Sequence, residues 1–265
     1  MVHELVRDTE AYYAAHGRHD LPWRQIADPY AILVSELMLQ QTQVARVIPK
    51  YGQFLELFPA VHDLAAADLA DVLRAWQGLG YNRRAKYLWQ AAGKLVHDYD
   101  GIFPQDITEL VKLPGVGKNT AGAVTAYAYN QPVVFIETNV RTVVIHHFFH
   151  DQTDISDADI AGVLPDALAA TSLSPREFYW ALMDYGTHLK AIIGNLNKLS
   201  KNYTKQSTFH GSRRQVRGAV LRLLTEEPKT RNMLRNELPD ERLESVLGDL
   251  AAEGLVQFDG KHYHL

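Results

Sequence analysis

Apolar residues recur at helical spacing along most of the first two-thirds of the chain, which predicts one helix after another. Tyr30 to Val47 carries no Pro or Gly and reads as a single helix, and Ala65 to Trp76 and Asn82 to His97 read the same way. Asp106 can cap a short helix running to Lys112. A small-residue helix follows from about Asn119 to Tyr129, and another covers Glu177 to Leu189. Val133 to Ile136 is a short β-like run, too isolated between helices to build a sheet. This pattern predicts an all-α domain. From Gly211 it changes to three helices, over 213–226, 230–238 and 240–253, then Leu255 to Leu265 with Asp259-Gly260 as a hairpin turn between strand-like residues. Three helices and a β-hairpin predict a small winged-helix domain. The division expected is a helical domain over 1–189, a basic linker or extended wrap over 190–211, and the winged-helix module over 212–265.

Composition narrows the chemistry. The 265 residues hold 46% hydrophobic side chains, enough for a sizeable core. There is no cysteine, which removes disulfides, a thiol nucleophile and any thiolate-held zinc or iron–sulfur centre. The N-terminus shows no secretory pattern and no run is apolar enough to span a bilayer, so a soluble, cytoplasmic protein is expected, nucleoid-associated in a bacterium and making no membrane contact. The net charge of −4 argues against a nucleic-acid partner until its distribution is considered. Between Tyr185 and Thr225 there is no acid but eight bases, among them Lys198, Lys201 and Lys205, a concentration suited to phosphates or simply a solvated basic face.

Leu113-Pro-Gly-Val-Gly117 lies between two predicted helices. Its glycines allow a tight turn and close approach to another molecule, and the following helix, beginning at Lys118, offers unbonded N–H groups suited to a phosphate. Read alone it is equally a plain helix–helix connection. Downstream, Glu137 stands just past an apolar segment and before Asn139-Val140. Glu36 sits in an apolar helical run, where desolvation raises a carboxyl pKa and keeps the proton on at neutral pH.

The glycine turn, the helix after it and an acid shortly before Asn-Val resemble the core of the helix-hairpin-helix (HhH-GPD) base-excision glycosylases. Leu21-Pro-Trp-Arg24, Asp28-Pro-Tyr30, Ser35 to Val44, Trp76 to Tyr81 and Ala181 to Gly186 are similar to the MutY-type adenine glycosylases, over residues 10 to 190. The resemblance implies a two-lobed fold and hydrolysis of the N-glycosidic bond of a flipped base. Glu36 would protonate the departing base and Glu137 would stabilise the sugar cation. It implies that Arg24, Gln40, Gln41, Tyr81, Leu113, Gly115, Gly117 and Lys118 contact DNA, with Gln41 and Tyr81 wedging near the lesion. Trp23 and Asp184 would lie near the base pocket, and the carbonyls of Val111, Leu113 and Val116 would hold Na+ or K+ at the hairpin. No other cofactor is implied.

Three departures matter. The family has Asp where this chain has Glu137, so the alternatives include a capping acid and a non-catalytic sensor of distorted DNA. Asn119 occupies the slot where lyase-type relatives carry the Schiff-base Lys, which implies a monofunctional enzyme. Its amide is suited to reading a pyrimidine edge or to capping a helix. The cysteines of the family's iron–sulfur loop are missing, and a domain reading 8-oxoguanine has no room, since about fifty residues remain after the basic stretch. Three substrate readings follow: adenine opposite oxidised guanine as the nearest analogue, a pyrimidine, or none. The expected partner is duplex DNA with a lesion or mismatch, bound by a monomer.

Overall fold

A computed structural model describes residues 1–205 and 208–265; positions 206 and 207 of the basic stretch lie outside the described residues. The chain runs through α1 (Val2–His16), a 3-10 turn at Pro22–Arg24, α2 (Pro29–Leu39), α3 (Val44–Leu57), α4 (Val61–Ala66), α5 (Leu69–Ala75) and α6 (Arg83–Tyr99). Then come α7 (Ile107–Leu110), α8 (Lys118–Tyr129), α9 (Thr138–Phe148), α10 (Asp157–Ala170), α11 (Pro175–Ile193) and a 3-10 turn at Leu196–Leu199. The end of the chain is α12 (Arg213–Glu226), β1 (Lys229–Thr230), α13 (Arg231–Glu237), α14 (Leu243–Ala252), β2 (Gln257–Phe258) and β3 (His262–His264). The domain is all-α apart from this small terminal sheet.

Two compact units divide the chain. The first comprises 1–36, 104–112 and 116–205. In its centre α11 packs along α9 and α1, closely enough that a side chain at Gly186 would strike the Asn139 carbonyl. Phe135 stacks on Tyr179 at 4.0 Å in this core. Ser156 and Ser174 start α10 and α11 with reciprocal capping bonds to Asp159 and Glu177, which fixes where both helices begin. Val133–Ile136 is extended and forms no strand; Tyr179 Oη donates to the Val133 carbonyl at 2.8 Å in place of a ladder.

The second unit comprises 37–103, 113–115 and 206–265. Its helical part gathers α4, α5 and α6 around Phe54, Leu64, Trp76, Leu88 and Leu95. Its C-terminal part is a winged helix. α12 and α14 pack on each other, and β3 lies between β1 and β2 in an antiparallel sheet with Phe258 opposite Tyr263. Gly260, at φ +99°, makes the turn that Asp259-Gly260 predicts.

The expected single helix over 30–47 is two. It breaks at Gln40–Gln43, where Gln41 takes the left-handed conformation at φ +54°. The buried guanidinium of Arg84, from α6, supplies the reason. It donates to the carbonyls of Leu37 (2.6 Å), Met38 (3.0 Å) and Gln40 (2.5 Å), which a continuing helix would have bonded to its own backbone. The run over 65–76 is likewise broken, ending α4 at Ala66 and starting α5 at Leu69.

Candidate active site

α2 is apolar on all sides: Ile32, Leu33, Val34, Leu37 and Met38 are all buried. Glu36 is the acid of this helix and keeps only a partial opening to solvent. Burial, reinforced by the charge of Glu137, pushes its carboxyl up to about 8. The two acids, a hundred residues apart in sequence, are therefore electrostatic neighbours in the first unit. Glu137 sits at the N-cap position of α9 but its side chain makes no capping bond. Burial raises its pKa also, while the Arg141 charge and the Thr138 N–H pull the other way and favour the anion. One acid holds a proton at neutral pH while the other has groups that stabilise its charge, the separation of roles that glycoside chemistry uses.

Asn119 is bonded to the strap that carries Glu137. Its Nδ2 donates to the Ile136 carbonyl at 2.8 Å and its Oδ1 accepts from the Ile136 N–H at 3.2 Å. The amide is bound at both ends to the residue preceding Glu137. It is a brace between the first turn of α8 and the strap that carries the acid. The strap crosses α8 at Gly122, where a Cβ would come within 2.6 Å of Phe135. The rear of α9 is held too. Asn197, buried, donates to the Thr138 carbonyl (3.2 Å) and to Thr142 Oγ1 (2.8 Å), and Arg141 pairs with Asp157 at 2.8 Å.

The DNA contact expected of Arg24 requires correction. Arg24 is buried and its guanidinium forms a two-point ion pair with Asp184, at 2.8 and 2.9 Å, over the Trp180 ring. Arg18 adds a further bond to the same carboxylate. Burial works against the Asp184 anion, but Arg24 and Arg18 override it and hold its pKa below the usual carboxylate range. These groups tie the Pro22–Arg24 turn to α11, and the Arg24 guanidinium is spent on that tie. Trp23 is buried in the same core. Sequence reasoning missed Tyr127, on α8 and buried, whose hydroxyl feels Glu36, Arg24 and Glu137 and whose pKa is driven well up by burial. It was legible only as one more residue of a small-residue helix.

In the hairpin, Asp106 caps α7 through the Thr108 N–H at 2.7 Å, and Gly115 turns the chain at φ +76°. A Cβ there would fall 2.6 Å from Tyr87, so the turn needs glycine for space as well as for conformation. Gly115, Gly117 and Lys118 are exposed, and Gly117 precedes α8 without a side-chain cap, so an anion would meet the start of a helix there. The Leu113 side chain is buried, so only its main chain can meet DNA.

In the second unit Gln40, Gln41 and Tyr81 are exposed, on loops that Arg84 ties together by also donating to the carbonyls of Gly80 (2.9 Å) and Tyr81 (3.4 Å). Lys198, Lys201 and Lys205 are exposed in the first unit. Arg213 and Arg217, counted in the same basic stretch, are neutralised by α14 through Asp249 (2.6 Å) and Glu253 (2.5 Å). Asp249 and Glu253, at the end of α14, therefore serve α12.

Residues 34–161 match the HhH-GPD superfamily of base excision DNA repair proteins. The chain is 36% identical over 268 residues to the adenine DNA glycosylase of Mycolicibacterium smegmatis, covering 91% of this chain and 89% of that one. It is 36% identical over 271 residues to that of Mycobacterium tuberculosis, covering 90% and 87%. Its fold is similar to a thermostable thymine-DNA glycosylase (TM-score 0.57, 24% identity, 70% of this chain and 86% of that chain). It is also similar to endonuclease III in a trapped covalent complex with DNA (TM-score 0.54, 20% identity, 71% and 83%). The chain belongs to the HhH-GPD superfamily of base excision DNA repair proteins, among the DNA N-glycosylases of the MutY type.

Proposed function

We propose that the protein excises adenine from mispairs with oxidised guanine in duplex DNA, as a monofunctional glycosylase. The observation that carries the chemistry is the pair Glu36 and Glu137, one held protonated to about 8 and the other beside Arg141. The adenine assignment is supported by relatives of that name aligned over nine-tenths of the chain. Glu36 gives its proton to the departing base as the bond to the sugar breaks. Glu137 stabilises the positive charge left on the sugar, and water adds to the anomeric carbon, losing its proton to solvent.

Asn119 is no amine, so no Schiff base forms there. Its engagement with Ile136 also removes the feature that favoured a pyrimidine. Gln41 and Tyr81 fill the space the flipped base vacates, and the hairpin and lysines hold phosphates. The carbonyls of Val111, Leu113 and Val116 are oxygen donors suited to a hard monovalent cation. The test is a panel of duplexes bearing A·8-oxoG, A·G, U·G and T·G, each with and without alkali. Strand scission at A·8-oxoG only after alkali is expected, with no borohydride-trapped adduct. Preferred cutting at U·G or T·G, or scission without alkali, overturns the reading.

A further inference from the structure

We propose that Arg214, on the C-terminal winged helix, is a positioning residue for Tyr81, and that the module thereby belongs to the base-displacing apparatus. The inference rests on the reading of Tyr81 as the side chain that enters the duplex.

Tyr81 follows a loop with two glycines at positive φ, Gly78 and Gly80, and itself adopts φ +48°, a left-handed conformation unfavourable for a bulky residue. Its main chain is held by Arg84. Its side chain is held by a different element: Arg214 Nη1 donates to Tyr81 Oη, and the Arg214 guanidinium lies 5.5 Å from the ring centroid. The Arg84 guanidinium lies 5.4 Å from the same ring. Two cations on one aromatic ring define the ring's plane far more narrowly than a loop on an exposed surface does, and each gains from the ring quadrupole.

The helix that carries Arg214 is itself fixed. The neighbours of Arg214 on α12, Arg213 and Arg217, are paired with Asp249 and Glu253, and Arg213 Nη1 also donates to Ser245 at 3.0 Å. The module is anchored to α6 and to the loop that leads to Tyr81. Glu253 pairs with Arg83 of α6 at 2.5 Å, Lys86 donates to the Glu253 carbonyl, and Gln77 donates to Thr225 at 2.9 Å. These contacts place α12 so that one arginine reaches the wedge while its neighbours lock the helix. A module serving only as a dock for other molecules has no need of a bond to Tyr81.

The experiment measures single-turnover excision at saturating enzyme in the full-length protein. It also follows the fluorescence of 2-aminopurine placed beside the mispair, which reports base unstacking. Arg214→Ala is expected to lower both by about tenfold, with Arg214→Lys restoring part of the loss and the thermal midpoint unchanged. In a Tyr81→Leu background Arg214→Ala is expected to add nothing, because its only route to the reaction has gone. A loss of equal size in both backgrounds, or no loss from Arg214→Ala where Tyr81→Leu is impaired, overturns the positioning role. If Tyr81→Leu itself leaves rate and fluorescence unchanged, the underlying reading of Tyr81 fails instead.

Discussion

Glu36 is a carboxylic acid that folding forces to keep its proton, and this has consequences for both activity and stability. Its folded pKa of about 8 lies above the ordinary 4.5, so between those values the folded state binds one more proton than the unfolded chain. Stability contributed by this group is complete below pH 4.5 and falls as pH climbs to about 8. Glu36→Gln abolishes that titration. Melting curves should show the variant gaining on the wild type at pH 8 and the gain shrinking toward pH 5; a constant difference would show that Glu36 does not titrate in this window. The same variant should lose excision by about 10²- to 10⁴-fold while still binding duplex, and the wild-type rate should decline on an alkaline limb centred near pH 8. The coupling to Glu137 has its own signature. Glu137→Gln removes a neighbouring negative charge, so carboxyl-carbon NMR should show Glu36 titrating at lower pH; an unmoved resonance would mean the acids are not neighbours. The apolar run around Glu36 made its burial and its proton legible in sequence. That Glu137 faces it was legible only through resemblance, because nothing in spacing alone brings residues a hundred positions apart together.

Loops and helix ends lie where the sequence pattern was least informative, because their determinants are distant. Tyr30 to Val47 looks helical throughout, and it is interrupted by one arginine 47 residues beyond Leu37. Arg84 is buried, burial lowers its pKa to about 10, and it stays charged at neutral pH through the carbonyls it satisfies. Arg84→Met leaves those carbonyls without their donor while filling similar space. It should cost roughly 2–4 kcal/mol in denaturant unfolding, and a change within about 0.5 kcal/mol, as at an ordinary surface site, would show that the loops hold themselves. Asn119 carries the same lesson at the other acid. Its type and place just inside a helix fit a cap or a base reader, and only the strap folding back over Gly122 reveals a brace on Ile136. Arg24 and Asp184 belong with it: a family motif drew attention to both, and their mutual burial explains the motif as architecture.

Across the whole molecule, a net charge of −4 conceals which cations can act on DNA. The acid-free stretch from Tyr185 to Thr225 pointed to a phosphate-binding surface, but α14, outside that stretch, brings Asp249 and Glu253 onto Arg213 and Arg217. Lys198, Lys201 and Lys205 are exposed on the segment that follows α11. Cations that neutralise phosphates release counterions, and each lowers the dependence of log binding on log salt by about 0.9 when removed. Replacing the three lysines with Ala should therefore weaken duplex binding and reduce that slope by about 2–3, equally for lesion-bearing and undamaged DNA. Arg213→Ala should leave the slope alone, because its charge is already matched within the fold, and should instead loosen α12 from α14. If Arg213→Ala flattens the salt dependence as much as the lysine variant does, the ion pair to Asp249 opens on DNA and the winged helix presents a phosphate-binding face of its own.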